Sequence, residues 1–184
     1  GLAGTGSNDT LAGGQGEQWL RGRGGSDILD GGADSDIADY STDPNAVYVN
    51  LATGTAIDGW GGIFEMQGID TLISIENVVG TDFNDILIGS DSDEDEAFAG
   101  LGGDDTIDGA GGFDELYFGF SDGPVHVDLG AGTAQGIGGD NGIGIDSFSN
   151  IEGAVGSDFD DLLVGGGAGY DGPGIFSGAE GFQG

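Results

Sequence analysis

Single apolar residues punctuate the first forty positions at a fixed interval. Leu11, Leu20, Leu29 and Ala38 lie nine residues apart, each two residues after Asp9, Gln18, Asp27 and Asp36. The underlying blocks are GTGSNDTLA (4–12), GGQGEQWLR (13–21), GRGGSDILD (22–30) and GGADSDIAD (31–39). Each opens on Gly, stays small to its fourth position, carries Asp or Gln at the sixth and an apolar residue at the eighth. This is neither the 3.6-residue period of a helix nor a long alternating strand. It predicts a Gly-rich turn, tight because Gly tolerates left-handed backbone and close approach, then a brief strand with one inward side chain. The blocks return at GTDFNDILI (80–88), GLGGDDTID (100–108), GAGGFDELY (109–117) and GSDFDDLLV (156–164).

A longer period contains the short one. GTGSNDTLAG at 4, GTDFNDILIG at 80 and GSDFDDLLVG at 156 are each 76 residues apart. Between them VYVNLATGTA (47–56) matches VHVDLGAGTA (125–134), and IDTLISIENVVG (69–80) matches IDSFSNIEGAVG (145–156). The first of these alternates as a strand does, with Val47, Val49 and Leu51 on one face and Tyr48 and Asn50 on the other. The expected organisation is one unit at 4–79 (nonapeptides 4–39, wider coils 40–79), a second at 80–155 (nonapeptides 80–117, wider coils 118–155), and the start of a third at 156–184. The last stops inside a turn, so the sequence reads as a piece of something longer, bounded by neighbouring repeats. About four coils per unit, stacked at ~4.8 Å, would add roughly 19 Å of rod.

Composition sharpens this picture. Of 184 residues 44 are Gly, and 34 acidic residues face only Arg21 and Arg23, a formal charge of −32. Such a chain does not neutralise phosphates, which excludes nucleic acid as a partner, and anionic headgroups repel it. No apolar run approaches the ~18 residues of a membrane span, so no membrane insertion is expected. There is no Cys, and His126 is the lone His, so neither a Ser–His–Asp triad nor a zinc motif is expected and the chain does not read as an enzyme. Hard oxygens in quantity, without His or Cys, suit Ca²⁺.

The blocks resemble the nonapeptide of the RTX (repeats-in-toxin, hemolysin-type) calcium-binding proteins, and the strand-plus-IExxxG half of each unit resembles a segment of long bacterial secreted and surface proteins that carry it. The resemblance implies an all-β, right-handed parallel β-roll/β-helix solenoid. It implies several Ca²⁺ ions between stacked turns, two nonapeptides per coil, and export through a type I secretion channel to the outside of a bacterial cell. Carried over position by position, it makes Asp9, Asp27, Asp36, Asp85, Asp105, Asp114 and Asp161 metal ligands. Asp9 is then expected over Asp27, Asp36 over Gln18, Asp85 over Asp105, and Asp161 over Gln183. Asp114 is expected near the acidic loop 91–96, from which Asp95 is the expected ligand. Asp91, Asp93 and Asp95 imitate an EF-hand start, but Glu96 stands where that loop needs Gly and Gly102 where it needs Glu.

Calcium and folding should be linked. A core of about one inward residue per nine does not offset the entropy of ordering so much Gly. Stacked carboxylates repel at ~1 kcal/mol per pair in water and several-fold more near protein. Binding energy then serves as folding energy. The role expected is a calcium-binding stalk, fibre or adhesin segment. The alternatives are an accessory module of an exported enzyme or toxin, and a carbohydrate- or protein-binding module. For the last, Trp60 and Phe64 are candidate sugar contacts, and the position-seven residues Trp19, Ile28, Ile37, Ile86, Leu162 and Ile175 are a candidate apolar strip. Self-association into a fibre or surface layer is a further expectation.

Overall fold

The computed structural model describes residues 1–60, 68–139, 142–165 and 176–177. Every regular element in it is a β-strand of two to five residues. The chain winds between two walls. The narrow wall is an eight-stranded sheet, parallel throughout, that includes Trp19–Arg21, Ile37–Asp39, Asn77–Val79, Glu96–Ala99, Asp114–Tyr117 and Gly153–Val155 in that order. The wide wall is an eleven-stranded sheet. The fold is therefore all-β, as expected, with one wholly parallel wall and one wall of parallel strands interrupted by antiparallel pairs.

In the nonapeptides strands are short because a Gly-rich turn follows at once, which leaves room for about one inward side chain per strand. Those inward residues stack in register. Leu29 pairs with Leu11 and Leu72, and Leu87 with Val49 and Ile107, on the wide wall. Ala38, Val78, Phe98, Leu116 and Ala154 align on the narrow one. Nearly all are fully buried and belong to one contiguous cluster. The alternation read at 47–51 holds: Val47 and Val49 are buried, Tyr48 is exposed. His126 is half-buried between buried Val125 and Val127.

The count of coils differs from expectation. Each unit places three strands on the narrow wall but five on the wide one. The extra pair is a hairpin: Tyr48–Asn50 runs antiparallel to Thr55–Ile57, which runs antiparallel to Ile69–Ile73. Val125–Asp128, Thr133–Gly136 and Ile145–Ser149 repeat it in the second unit. The wide half of a unit thus adds one coil and a hairpin, and the narrow wall grows by roughly 14 Å per unit at ~4.8 Å per strand. A five-strand wall joined to a three-strand wall must follow the longer path, so the solenoid curves with the narrow wall inside. The Trp19 and Phe120 rings meet at 6.3 Å although the strands that carry or precede them lie four steps apart on that wall.

Candidate metal centre: two rows of carboxylates per unit

The sixth position of each block faces inward at the turn, and nearly every residue there is buried. Asp27, Asp36, Asp85, Asp105, Asp114 and Asp161 are all 7% exposed or less, and Asp9 is half-buried. All but Asp9 are held by the coil before, through an amide that donates to the carboxylate. The Asp9 amide donates to Asp27 Oδ1 (2.7 Å), and the Asp27 amide to Asp70 Oδ1 (2.9 Å). On the other edge the Gln18 amide donates to Asp36 Oδ1 (2.7 Å), and the Asp36 amide to Glu76 Oε2 (2.9 Å). The second unit repeats both rows. Asp85 donates to Asp105 (2.8 Å) and Asp105 to Asp146 (3.1 Å); Glu96 donates to Asp114 (3.1 Å) and Asp114 to Glu152 (3.0 Å). Each unit therefore carries two rows of three side chains, one per coil. Asp161 opens a further row by accepting from the Val125 amide (2.8 Å), as Asp85 accepts from Val47 (2.8 Å).

The first member of each row has a side-chain oxygen occupied by an amide of its own turn. Thr5 donates its amide to Asp9 Oδ2 (2.6 Å), Thr81 to Asp85 (2.6 Å) and Ser157 to Asp161 (2.7 Å). Gly14 donates to Gln18 (2.8 Å), and Ser90 to Glu96 (2.9 Å). The middle members differ. Asp27, Asp36, Asp105 and Asp114 each bury an Oδ2 with no hydrogen-bond partner. Buried polar atoms are normally satisfied, so four orphans at one lattice position ask for a ligand.

These oxygens lie over the opening Gly of their own block. A Cβ on Gly100 would stand 2.0 Å from Asp105 Oδ2, one on Gly22 2.4 Å from Asp27 Oδ2, and one on Gly109 2.6 Å from Asp114 Oδ2. A main-chain carbonyl of the next coil often reaches the same place. Above Gly109 it is Asn150 O (2.1 Å), above Gly31 Ser74 O (2.2 Å) and above Gly80 Gly100 O (2.9 Å). The bare Gly Cα is what lets a carboxylate oxygen and a carbonyl oxygen converge there.

Convergent oxygens without a cation penalise the ionised state. Burial, with neighbouring carboxylates adding to it, pushes Asp105 up to about 8, Asp70, Asp114 and Asp146 to about 7, and Asp85 to about 6. Asp27, Glu76 and Glu96 are raised for the same leading reason. Asp9, at the start of its row, is lowered instead by the Thr5 hydrogen bonds. Among the described residues the one ion pair is Arg21–Asp39, far too little to balance the rows. The donor set, carboxylate and carbonyl oxygen alone, fits a hard divalent cation such as Ca²⁺. Among the described residues no three acidic or imidazole side chains surround one point. Carbonyls and water would therefore complete the six to eight oxygens that Ca²⁺ takes.

The placements compare with expectation as follows. Asp9 stacks on Asp27, Gln18 on Asp36, and Asp85 on Asp105. Asp95 does not occupy the row; it is exposed, and Glu96, only 4% exposed, takes the place beside Asp114. The loop 89–99 is two residues longer than its counterparts, and a Glu reaches back across that extra length to Ser90. Sequence reasoning missed Asp70, Glu76, Asp146 and Glu152, which end the four rows. Gln183, Phe64 and Ile175 lie outside the described residues. Of the position-seven residues, Trp19, Ile28 and Ile86 are exposed, Ile37 is buried and Leu162 half-buried. Trp60 donates its indole N–H to Asp43 Oδ1 (2.7 Å).

The RTX calcium-binding nonapeptide repeat matches the chain in four copies, over residues 3–38, 74–95 and 98–116. No curated protein matches the chain. RTX nonapeptide repeats bind calcium ions, and the matched residues contain all four orphaned middle-row carboxylates.

Proposed function

We propose that this chain, which carries RTX calcium-binding nonapeptide repeats, is a calcium-folded stalk or scaffold segment of a secreted bacterial protein. The observation that carries the reading is the set of four buried, unpartnered oxygens, one in the middle of every complete row. Asp27, Asp36, Asp105 and Asp114 are the central calcium ligands in this account. Asp9, Asp85, Asp161 and Glu96 close the row starts, and Asp70, Glu76, Asp146 and Glu152 the row ends. Calcium between coils removes the mutual repulsion and ties each coil to the next. Solenoid coils interact chiefly with neighbours, so tandem units build length without requiring a larger core.

Extracellular modules bind Ca²⁺ at about 10⁻⁴–10⁻³ M, above resting cytosolic levels. The chain then stays open for export and closes outside. Limited proteolysis tests this directly. The chain should be cut rapidly at cytosolic calcium and resist cleavage at millimolar calcium; equal resistance in both would remove the export argument.

A second reading, a binding surface, rests on the inside of the curve. Trp19, Tyr117 and Phe120, all exposed, edge a cleft of about 370 Å³. Glycan-array or partner binding lost on Phe120→Ala, with calcium affinity unchanged, would favour it over a purely mechanical role.

A further inference from the structure

Asp58 is the fifth residue with a buried, unpartnered carboxylate oxygen, and it belongs to no nonapeptide. It follows the hairpin strand Thr55–Ile57 and is fully buried. Its Oδ1 accepts from the Gly68 amide (3.0 Å) and the Trp60 amide (3.2 Å). Its Oδ2 lies over Gly68, where a Cβ would stand 2.3 Å from it and 1.7 Å from the Gly25 carbonyl oxygen. That resembles the cradle of the rows, a carboxylate and a carbonyl over a Gly, although the carbonyl here comes from the coil before rather than the coil after. Here the carboxylate arrives from ten residues before the Gly rather than five after it.

Two further buried carboxylates adjoin it. Asp43 accepts from the Gly59 amide (3.3 Å) and the Trp60 indole (2.7 Å), so it grips the turn that Asp58 begins. Asp70, two residues beyond Gly68, accepts from the Tyr40 hydroxyl (3.2 Å). Neither of the chain's two Arg residues serves them, since Arg21 pairs with Asp39 and Arg23 is exposed. Unpaired buried carboxylates are strongly disfavoured, so a counter-ion is required.

The second unit provides an internal contrast. At the equivalent places it has Phe118 for Tyr40, Ser121 for Asp43 and Gly136 for Asp58, while Asp146 keeps the place of Asp70. Over Gly144 the Gly103 carbonyl remains (2.2 Å), but the acid nearby is exposed Asp104, whose Oδ1 already accepts from the Ile145 amide (2.8 Å). Three polar groups are thus present together in one unit and absent together in the other.

We propose that Asp58, with the Gly25 carbonyl, forms an additional divalent-cation site in the wide coil of the first unit, its negative field completed by Asp43 and Asp70. All its donors are hard oxygens, which selects Ca²⁺ over softer metals. The site adjoins the Asp9–Asp27–Asp70 row, sharing Asp70 with it, but its carboxylate Asp58 lies outside the nonapeptides, and it gives the first unit one ion that the second lacks.

The experiment counts calcium per chain by equilibrium dialysis, for the wild-type chain and for Asp58→Asn. Asn keeps the Oδ1 that the two amides need and loses the charge. The expected result is one ion fewer in the variant, with the circular dichroism of both in calcium the same. An unchanged count means that protons alone neutralise the cluster, and overturns the proposal. A second readout uses the Trp60 indole beside Asp43 as an antenna for Tb³⁺. Emission excited through tryptophan should fall several-fold in Trp60→Phe and persist in Trp19→Phe. Equal emission from the wild-type chain and Trp60→Phe would overturn the proposal even if Asp58→Asn failed to fold. A failure of the nonapeptide rows would instead appear as a wild-type chain binding at most one ion.

Discussion

The Asp85 amide donates to Asp105 Oδ1 at 2.8 Å, and the other oxygen of Asp105 is buried with no partner at all. One carboxylate thus performs two separable tasks. Oδ1 sets the register between coils, and Oδ2 is the calcium ligand on the proposed reading. Asp105→Asn separates them, because Asn retains an acceptor for the Asp85 amide and loses the charge. The variant should raise the calcium midpoint for folding about tenfold, equivalent to about 1.4 kcal/mol. Its β-signal without calcium should be no lower than wild type. Parallel calcium titrations by circular dichroism read both.

Glycine at the opening of a block is required for space rather than for turn flexibility. In Gly100→Ala the new methyl would stand 2.0 Å from Asp105 Oδ2, and the carboxylate must move. We expect about 1–3 kcal/mol of destabilisation in saturating calcium, the range for overpacking, and a weaker midpoint. Gly6→Ala, where nothing lies within 4 Å, should stay within about 0.5 kcal/mol. Thermal melts of the two variants give the comparison.

Proton and calcium should act on stability with opposite signs. The raised carboxylates run from the ordinary 3.8 up to about 6 for Asp85, about 7 for Asp114 and Asp146, and about 8 for Asp105. Between those values the folded chain holds protons that the unfolded chain releases, so metal-free stability falls as pH rises through that window. It is fully present below about 4 and lost by about 8. With calcium the ligands must be ionised, so stability rises with pH instead. The far-UV β signal in EDTA should grow as pH falls through this window, whereas the melting temperature in excess calcium should rise with pH; a calcium-form melting temperature that fell with rising pH would refute the assignment.

The stacked apolar column carries what core there is. Leu87 is fully buried between Val49 and Ile107. Leu87→Ala should destabilise the calcium form by about 2–5 kcal/mol. Because coils couple to neighbours, hydrogen exchange should loosen most near residues 47–50, 86–88 and 106–108 and least near Leu20.

The nonapeptide pattern made most of the rows legible, since the sixth position counted from each opening Gly is Asp27, Asp36, Asp85, Asp105, Asp114 or Asp161. It failed at loop 89–99 because two inserted residues shift the count. Counting back two residues from the inward Phe98 arrives correctly at Glu96. The same rule, an acid two residues before an inward apolar residue, picks out Asp70 before Leu72, Glu76 before Val78, Asp146 before Phe148 and Glu152 before Ala154. Those acids were not recognised because their segments lack the opening Gly. The hairpin was hidden for a different reason. VYVNLATGTA alternates as any strand does, and whether its partner lies before or after it is decided by pairing across the wall, which local alternation does not encode. The Asp58 cradle joins Gly25 to Asp58 and Gly68, which lie at opposite ends of the connection between Thr55–Ile57 and Ile69–Ile73, so no spacing rule reaches it.

The account rests on calcium supplying the folding energy, and a far-UV circular dichroism titration of Ca²⁺ into EDTA-treated protein, with Mg²⁺ as control, tests that most directly. A cooperative coil-to-β transition centred at about 10⁻⁴–10⁻³ M Ca²⁺, absent with Mg²⁺, is the result expected. A full β spectrum in EDTA at neutral pH, unchanged by calcium, would contradict it, and would mean that the apolar column holds the solenoid without metal.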